Sequence, residues 1–149
     1  MNRFMTFDTH NGDSQWNERT GRRVEVLREL TEAEADIADV GKMFCIRFED
    51  GVETDAFEDE LVDPMAAVKA YRLPGFYTDE RGAYGVIVGK VYICCFVNSE
   101  DGKYDVTADT LDANGDFALN LDWESYDQPE DAVKCLRRLL RKHTGGKRL

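Results

Sequence analysis

Apolar and polar positions alternate most compactly across Met43–Leu61. Phe44, Ile46 and Phe48 are separated by Met43, Cys45 and Arg47, the period-two pattern of a strand with one face in a core. Asp50-Gly51 follows, and because glycine tolerates positive φ this pair signals a two-residue type I′ hairpin. The return arm puts Val52, Thr54 and Ala56 on one face and Glu53, Asp55 and Phe57 on the other. Upstream, residues 22–29 form another predicted strand, with Val24 and Val26 facing one way and Arg23 and Glu25 the other. Leu27 breaks that alternation. Residues 1–19 hold no sustained period and several turn formers, which predicts an irregular extension anchored through Trp16 or Phe4. Between the strands, Thr31-Glu32-Ala33-Glu34 has the form of a capping box: the Thr31 hydroxyl would accept the Glu34 amide, and the Glu34 carboxylate the Thr31 amide. It predicts a short helix to Ile37, ended by Gly41.

After Asp63-Pro64 a short helical piece, MAAVKAYRL, leads to Pro74-Gly75, a turn pair that reads as a domain boundary. Four strands are predicted beyond it. Residues 83–88 and 91–97 are apolar throughout, as in strands covered on both faces, and Gly89-Lys90 between them suits a type II′ turn. In residues 103–111, Tyr104, Val106 and Ala108 alternate with Asp105, Thr107 and Asp109. In residues 116–124, Phe117, Leu119, Leu121 and Trp123 share one face, the cleanest alternation in the chain. A final helix follows, capped by Asp127, with Pro129, Glu130 and Asp131 in its first turn. Its stripe of Ala132, Val133, Leu136, Leu139 and Leu140 is expected to pack on the Phe117–Trp123 face. The expected organisation is α+β: an irregular extension (1–19), a small β-barrel (20–63), a linker with a short helix (64–74) and a four-stranded antiparallel sheet closed by the C-terminal helix (75–149).

The order VEVLREL, long loop, MFCIRFEDG, ETDAFEDEL resembles the small SH3-like or Tudor-like barrels. Their aromatic-x-aliphatic-x-aromatic-x-Asp-Gly hairpin appears here as Phe44-Cys45-Ile46-Arg47-Phe48-Glu49-Asp50-Gly51 and closes at Leu61. The resemblance covers residues 20–63, under a third of the chain. Tudor-type readers hold methyl-lysine in an aromatic cage, and no cluster in this sequence maps onto one residue by residue. As a whole the chain is similar to uncharacterised acidic accessory proteins of bacterial mobile elements and phages, a likeness that supplies no activity.

Charge narrows the range of partners. The 149 residues carry a net charge of −11, but residues 1–133 hold 30 acids against 12 bases, and residues 134–149 hold seven bases and no acid. A body this acidic does not attract phosphate backbones, which disfavours direct nucleic-acid binding. No apolar run approaches the roughly 20 residues of a membrane span. The N-terminus lacks a secretory apolar region, so a cytoplasmic protein is expected. Cys45, Cys94, Cys95 and Cys135 show no ligand spacing and read as plain buried thiols; adjacent Cys94 and Cys95 should point to opposite sheet faces.

Asp112-Ala113-Asn114-Gly115-Asp116 opens like a calcium loop, but Phe117 and Trp123 occupy the positions that need Gly and Glu, so a hairpin turn is expected. His10 and His143 lie in terminal segments with no orienting partner in view, and no hydrolase, nucleotide or zinc motif is present. No cofactor or metal is expected. Glu49, Asp50, Glu53, Asp55, Glu58, Asp59 and Glu60, within an acid run extending to Asp63, are the candidate partner-binding residues. Such runs are commonly solvated faces, and here the run also offers a patch for a basic protein surface. The leading expectation is a non-enzymatic interaction module with a basic partner. A nucleic-acid mimic is the alternative, for which Asp105, Asp109 and Asp122 would extend the acid ridge. A small enzyme with a dispersed site is the third.

Overall fold

The computed structural model describes residues 2–9, 15–34 and 41–145. The fold is α+β, and the chain divides into two compact units: Met1–Pro64 with Ser99–Gly102, and Met65–Asn98 with Lys103–Leu149.

The first unit contains β1 (Phe4–Phe7), β2 (Arg23–Glu29), β3 (Met43–Phe48), β4 (Glu53–Phe57) and β5 (Leu61–Val62), in the antiparallel order β4-β3-β2-β1-β5. β4 and β5 occupy opposite edges, yet only the 3-10 turn Glu58–Glu60 joins them. From Phe57 to Leu61 the chain reaches at most about 14 Å, whereas a flat five-stranded sheet would hold its edges about 19 Å apart. The sheet therefore curls into a half-barrel around Met5, Phe7, Val24, Phe44, Ile46, Phe48, Ala56 and Leu61.

β1 lies inside the segment expected to be irregular. Phe-Met-Thr-Phe is too short to announce itself, and its order comes from pairing on both sides: Met5 opposite Val24, and Phe7 opposite Leu61. Trp16 does anchor the following loop, stacked on Phe48 at 6.2 Å. Leu27, where alternation fails, coincides with a bulge between Val26 and Arg28.

The β3–β4 turn is not type I′. Phe48 donates its amide to the Val52 carbonyl and Gly51 donates to Phe48, while among the described residues only Arg72 and glycines have positive φ. Asp50 therefore has negative φ, and the loop has three residues with Gly51 as the left-handed bulge residue. At the capping box, the Glu34 carboxylate accepts the Thr31 amide (3.1 Å) and also the Thr31 hydroxyl (3.0 Å). The Glu34 amide goes to the Thr31 carbonyl instead of the hydroxyl. The predicted helix toward Ile37 lies largely outside the described residues.

The second unit begins at Met65, ahead of the expected boundary at Pro74-Gly75, because α1 (Met65–Lys69) contributes Met65 and Val68 to its core. Its sheet has five strands where four were expected: β6 (Tyr77–Thr78), β7 (Tyr84–Val88), β8 (Val91–Val97), β9 (Tyr104–Leu111) and β10 (Phe117–Tyr126), all antiparallel in the order β10-β9-β8-β7-β6. α2 (Pro129–Thr144) is preceded by Gln128, not Asp127, at the cap position. Gln128 makes no side-chain capping bond, so the start rests on Pro129 with its preset φ. Gly145, at φ 68°, closes the helix.

The predicted helix stripe is buried, but against the other face of the sheet. Ala132, Val133, Cys135, Leu136 and Leu139 pack on Tyr84, Ile93, Cys95, Tyr104, Val106 and Ala108. Phe117, Leu119, Leu121 and Trp123 are left 51%, 61%, 39% and 59% exposed. Two irregularities in the β9–β10 ladder, between Phe117 and Leu119 and between Asn120 and Asp122, break the apparent alternation. Phe117 lies opposite Leu111 and Trp123 opposite Thr107, but Leu119 lies opposite Thr110, on the alternate face. Among the described residues no helix is long and apolar enough to cross a membrane.

Candidate interaction surfaces

The seven candidate carboxylates of the first unit fall into two groups. At the hairpin tip, Arg23 pairs with Glu49 at 2.5 Å, and Arg19 grips Asp50 through two bonds of 3.1 and 3.0 Å. The Arg19 guanidinium also lies 4.6 Å over the Phe48 ring, and it holds the Asp50 carboxyl below its ordinary range, helped by the Val52 amide. Glu60 turns back to accept the Phe57 amide at 3.0 Å. Glu53 and Asp55 project from the outer side of β4, and Glu58 and Asp59 continue from the 3-10 turn. These four are exposed and form no ion pair with any described residue. Phe57, 39% exposed, stands beside them.

The bases that divide the run come from β2 and from the loop before it, so reading residues 49–63 alone could not reveal them. The same strands hold a second clamp: Glu25 sits between Arg47 (2.7 Å) and Arg3 (2.5 Å), which together lower its carboxyl. Cys45, opposite Asp55, has its thiol pushed up by burial and by Asp55 and Glu53, the reverse of a reactive thiolate.

On the face of the second sheet away from α2, the rings of Tyr77, Tyr92 and Phe117 form a row with centroids 6.3 and 6.0 Å apart. On the same face Ala83, Tyr92 and Cys94 form a small buried cluster against which Phe96 and Leu111 pack. Asp79 accepts the Tyr92 hydroxyl at 2.7 Å and pairs with Arg81, whose guanidinium lies 4.8 Å over Phe117. Burial pushes the Asp79 carboxyl up, but the bonds from Tyr92, Arg81 and Ala83 outweigh it and hold it below its ordinary range. Burial and the Asp79 bond raise the Tyr92 hydroxyl far above a free tyrosine.

Asp105 is buried and accepts Asn98 (3.0 Å), Trp123 Nε1 (3.1 Å) and Ser125 (2.6 Å), so it cannot join an exposed acid ridge. Asp109 accepts Asn120, and Asp122 pairs with Lys142 at 3.1 Å.

His143, expected in a terminal segment without an orienting partner, belongs to α2, with Nε2 3.6 Å from the Asp122 carboxylate. That nitrogen has no hydrogen-bond partner among the described residues; His10 lies outside them. The Asp112–Asp116 segment is a hairpin turn, in which the Asp112 carboxylate accepts the Asn114 and Asp116 amides. Cys94 and Cys95 do face opposite ways, Cys94 toward Thr107 and Cys95 toward Val106. Cys135 contacts Glu124, and burial with that contact raises its thiol to about 11. Among the described residues no three His, Cys, Asp or Glu side chains converge as metal ligands would. No family model, curated protein or solved structure matches the chain.

Proposed function

We propose that the protein is a non-enzymatic interaction module whose first unit is an SH3-like half-barrel that takes a basic protein segment along β4. The strand order β4-β3-β2-β1-β5, with the last strand reached through one 3-10 turn, supports the SH3-like reading. The observation that carries the function is the set Glu53, Asp55, Glu58 and Asp59, exposed on and after an edge strand and without an ion pair among the described residues. An extended segment added there gains main-chain hydrogen bonds from the edge, while its lysines or arginines meet the carboxylates and Phe57 covers their aliphatic stems. A nucleic-acid mimic has less support, because Asp105 is buried and Asp122 is neutralised by Lys142.

An oligolysine peptide titrated by fluorescence anisotropy tests this. Neutralising Glu53, Asp55, Glu58 and Asp59 to their amides should weaken binding about tenfold or more at roughly 50 mM salt. Neutralising Glu18, Glu29, Glu32 and Glu80, an equal change of net charge, should weaken it by less than about twofold. Equal losses in the two variants would mean bulk attraction only and would sink the proposal.

A further inference from the structure

The two sheets have four edges, and three carry the devices that keep edges from pairing. β5 and β6 are two residues long, and β4 presents Glu53 and Asp55. β10 differs. It runs for ten residues, and its two acids are drawn off by the helix: Arg138 pairs with Glu124, and Lys142 with Asp122. What remains along it is Phe117, Leu119, Leu121 and Trp123, each exposed by 39% or more. By their fractional exposure these four leave on the order of 500 Å² of surface in water, shared between the two faces of the strand.

We propose that β10 pairs antiparallel with β10 of a second copy, about a two-fold axis near the middle of the strand. The choice of occupant follows from charge: α2 neutralises Asp122 and Glu124 in each copy, so two β10 edges meet without an unpaired acid and offer little to a charged segment. The bulges put Leu119 on the α2 face and Phe117 and Trp123 on the opposite one, so the joined edges would bring apolar side chains together on both faces. Two copies would bury at most about 1,000 Å² through these side chains, the lower bound for a specific interface, and would join two five-stranded sheets into one of ten. The two bulges bend β10 without shortening it, so the joined sheet would be strongly twisted at its centre.

Sedimentation velocity on the full chain over a roughly hundredfold concentration range tests the proposal. The expected result is a shift from the 17.0 kDa of one chain toward twice that mass. Leu121→Lys and Leu121→Glu should each stay monomeric, because like charges meet near the axis, while an equimolar mixture of the two should dimerise. Far-UV circular dichroism confirms that each variant is folded. Should either fail to fold, Leu119→Lys reads the same loss at a side chain already 61% exposed. A wild-type chain that stays at single mass throughout, or position-121 and position-119 variants that dimerise as well as wild type, would overturn it.

Discussion

β4 and β10 are both edge strands with an open row of amides and carbonyls, yet their side chains differ in kind. β4 sets two carboxylates and one phenylalanine outward and leads into two further carboxylates. β10 sets apolar side chains outward, and its acids are matched by cations of α2. A copy of β4 cannot pair with itself without bringing carboxylates together, whereas a basic strand can pair with it. β10 offers a basic strand little, and a copy of itself an apolar edge whose acids are already matched. The difference shows that an edge is characterised by the charge left over after the rest of its unit has paired, and not by the acids in its own sequence.

The largest effect comes from removing the scaffold behind either edge. Ile46 and Leu136 are both fully buried. Ile46→Ala and Leu136→Ala should each cost about 2–5 kcal/mol, through lost burial and the cavity left behind, read as a lower midpoint in urea unfolding. Next in size is an exchange of character. Glu53→Val with Asp55→Thr should weaken oligolysine binding severalfold and give concentration-dependent association, by turning β4 into an uncharged edge. Light scattering and anisotropy measure the two halves of that outcome.

A smaller effect depends on which acids are available. Arg19→Met should release Asp50 and raise oligolysine affinity by about two- to threefold, within the modest range of exposed ion pairs. The least effect concerns pH. Glu34 is lowered from 4.5 to about 2, first by Arg28 and then by the Thr31 amide and hydroxyl. Its folded value lies below its unfolded one, so its stabilising contribution is complete above 4.5 and is lost as pH falls from 4.5 toward 2. In Arg28→Ala, NMR titration of the Glu34 carboxyl should show its midpoint moved up toward 4.5.

Local signals in the sequence carried much of the architecture. The Gly89-Lys90 turn joins Val88 to Val91, and the alternation of Tyr104, Val106 and Ala108 against Asp105, Thr107 and Asp109 correctly separates the two faces of β9. The helix stripe was equally legible, because 3.6-residue periodicity is set by nearby residues. What escaped depends on distant partners. β1 exists because β2 and β5 flank it, and Glu49 and Asp50 are quenched by arginines from earlier in the chain. β10 departs from the expected single face because two bulges, invisible in an alternating string, turn Leu119 away from Phe117 and Trp123. The apolar alternation that suggested a buried face instead marks the most exposed apolar strand among the described residues.

Amide hydrogen exchange on the full chain reads both edges in one sample and tests most directly the claim that they take different partners. Raising the protein concentration should slow exchange in Phe117–Tyr126 and leave Glu53–Phe57 unchanged; adding oligolysine should do the reverse. Protection that rises along β4 with concentration, or along β10 with oligolysine, would contradict the account.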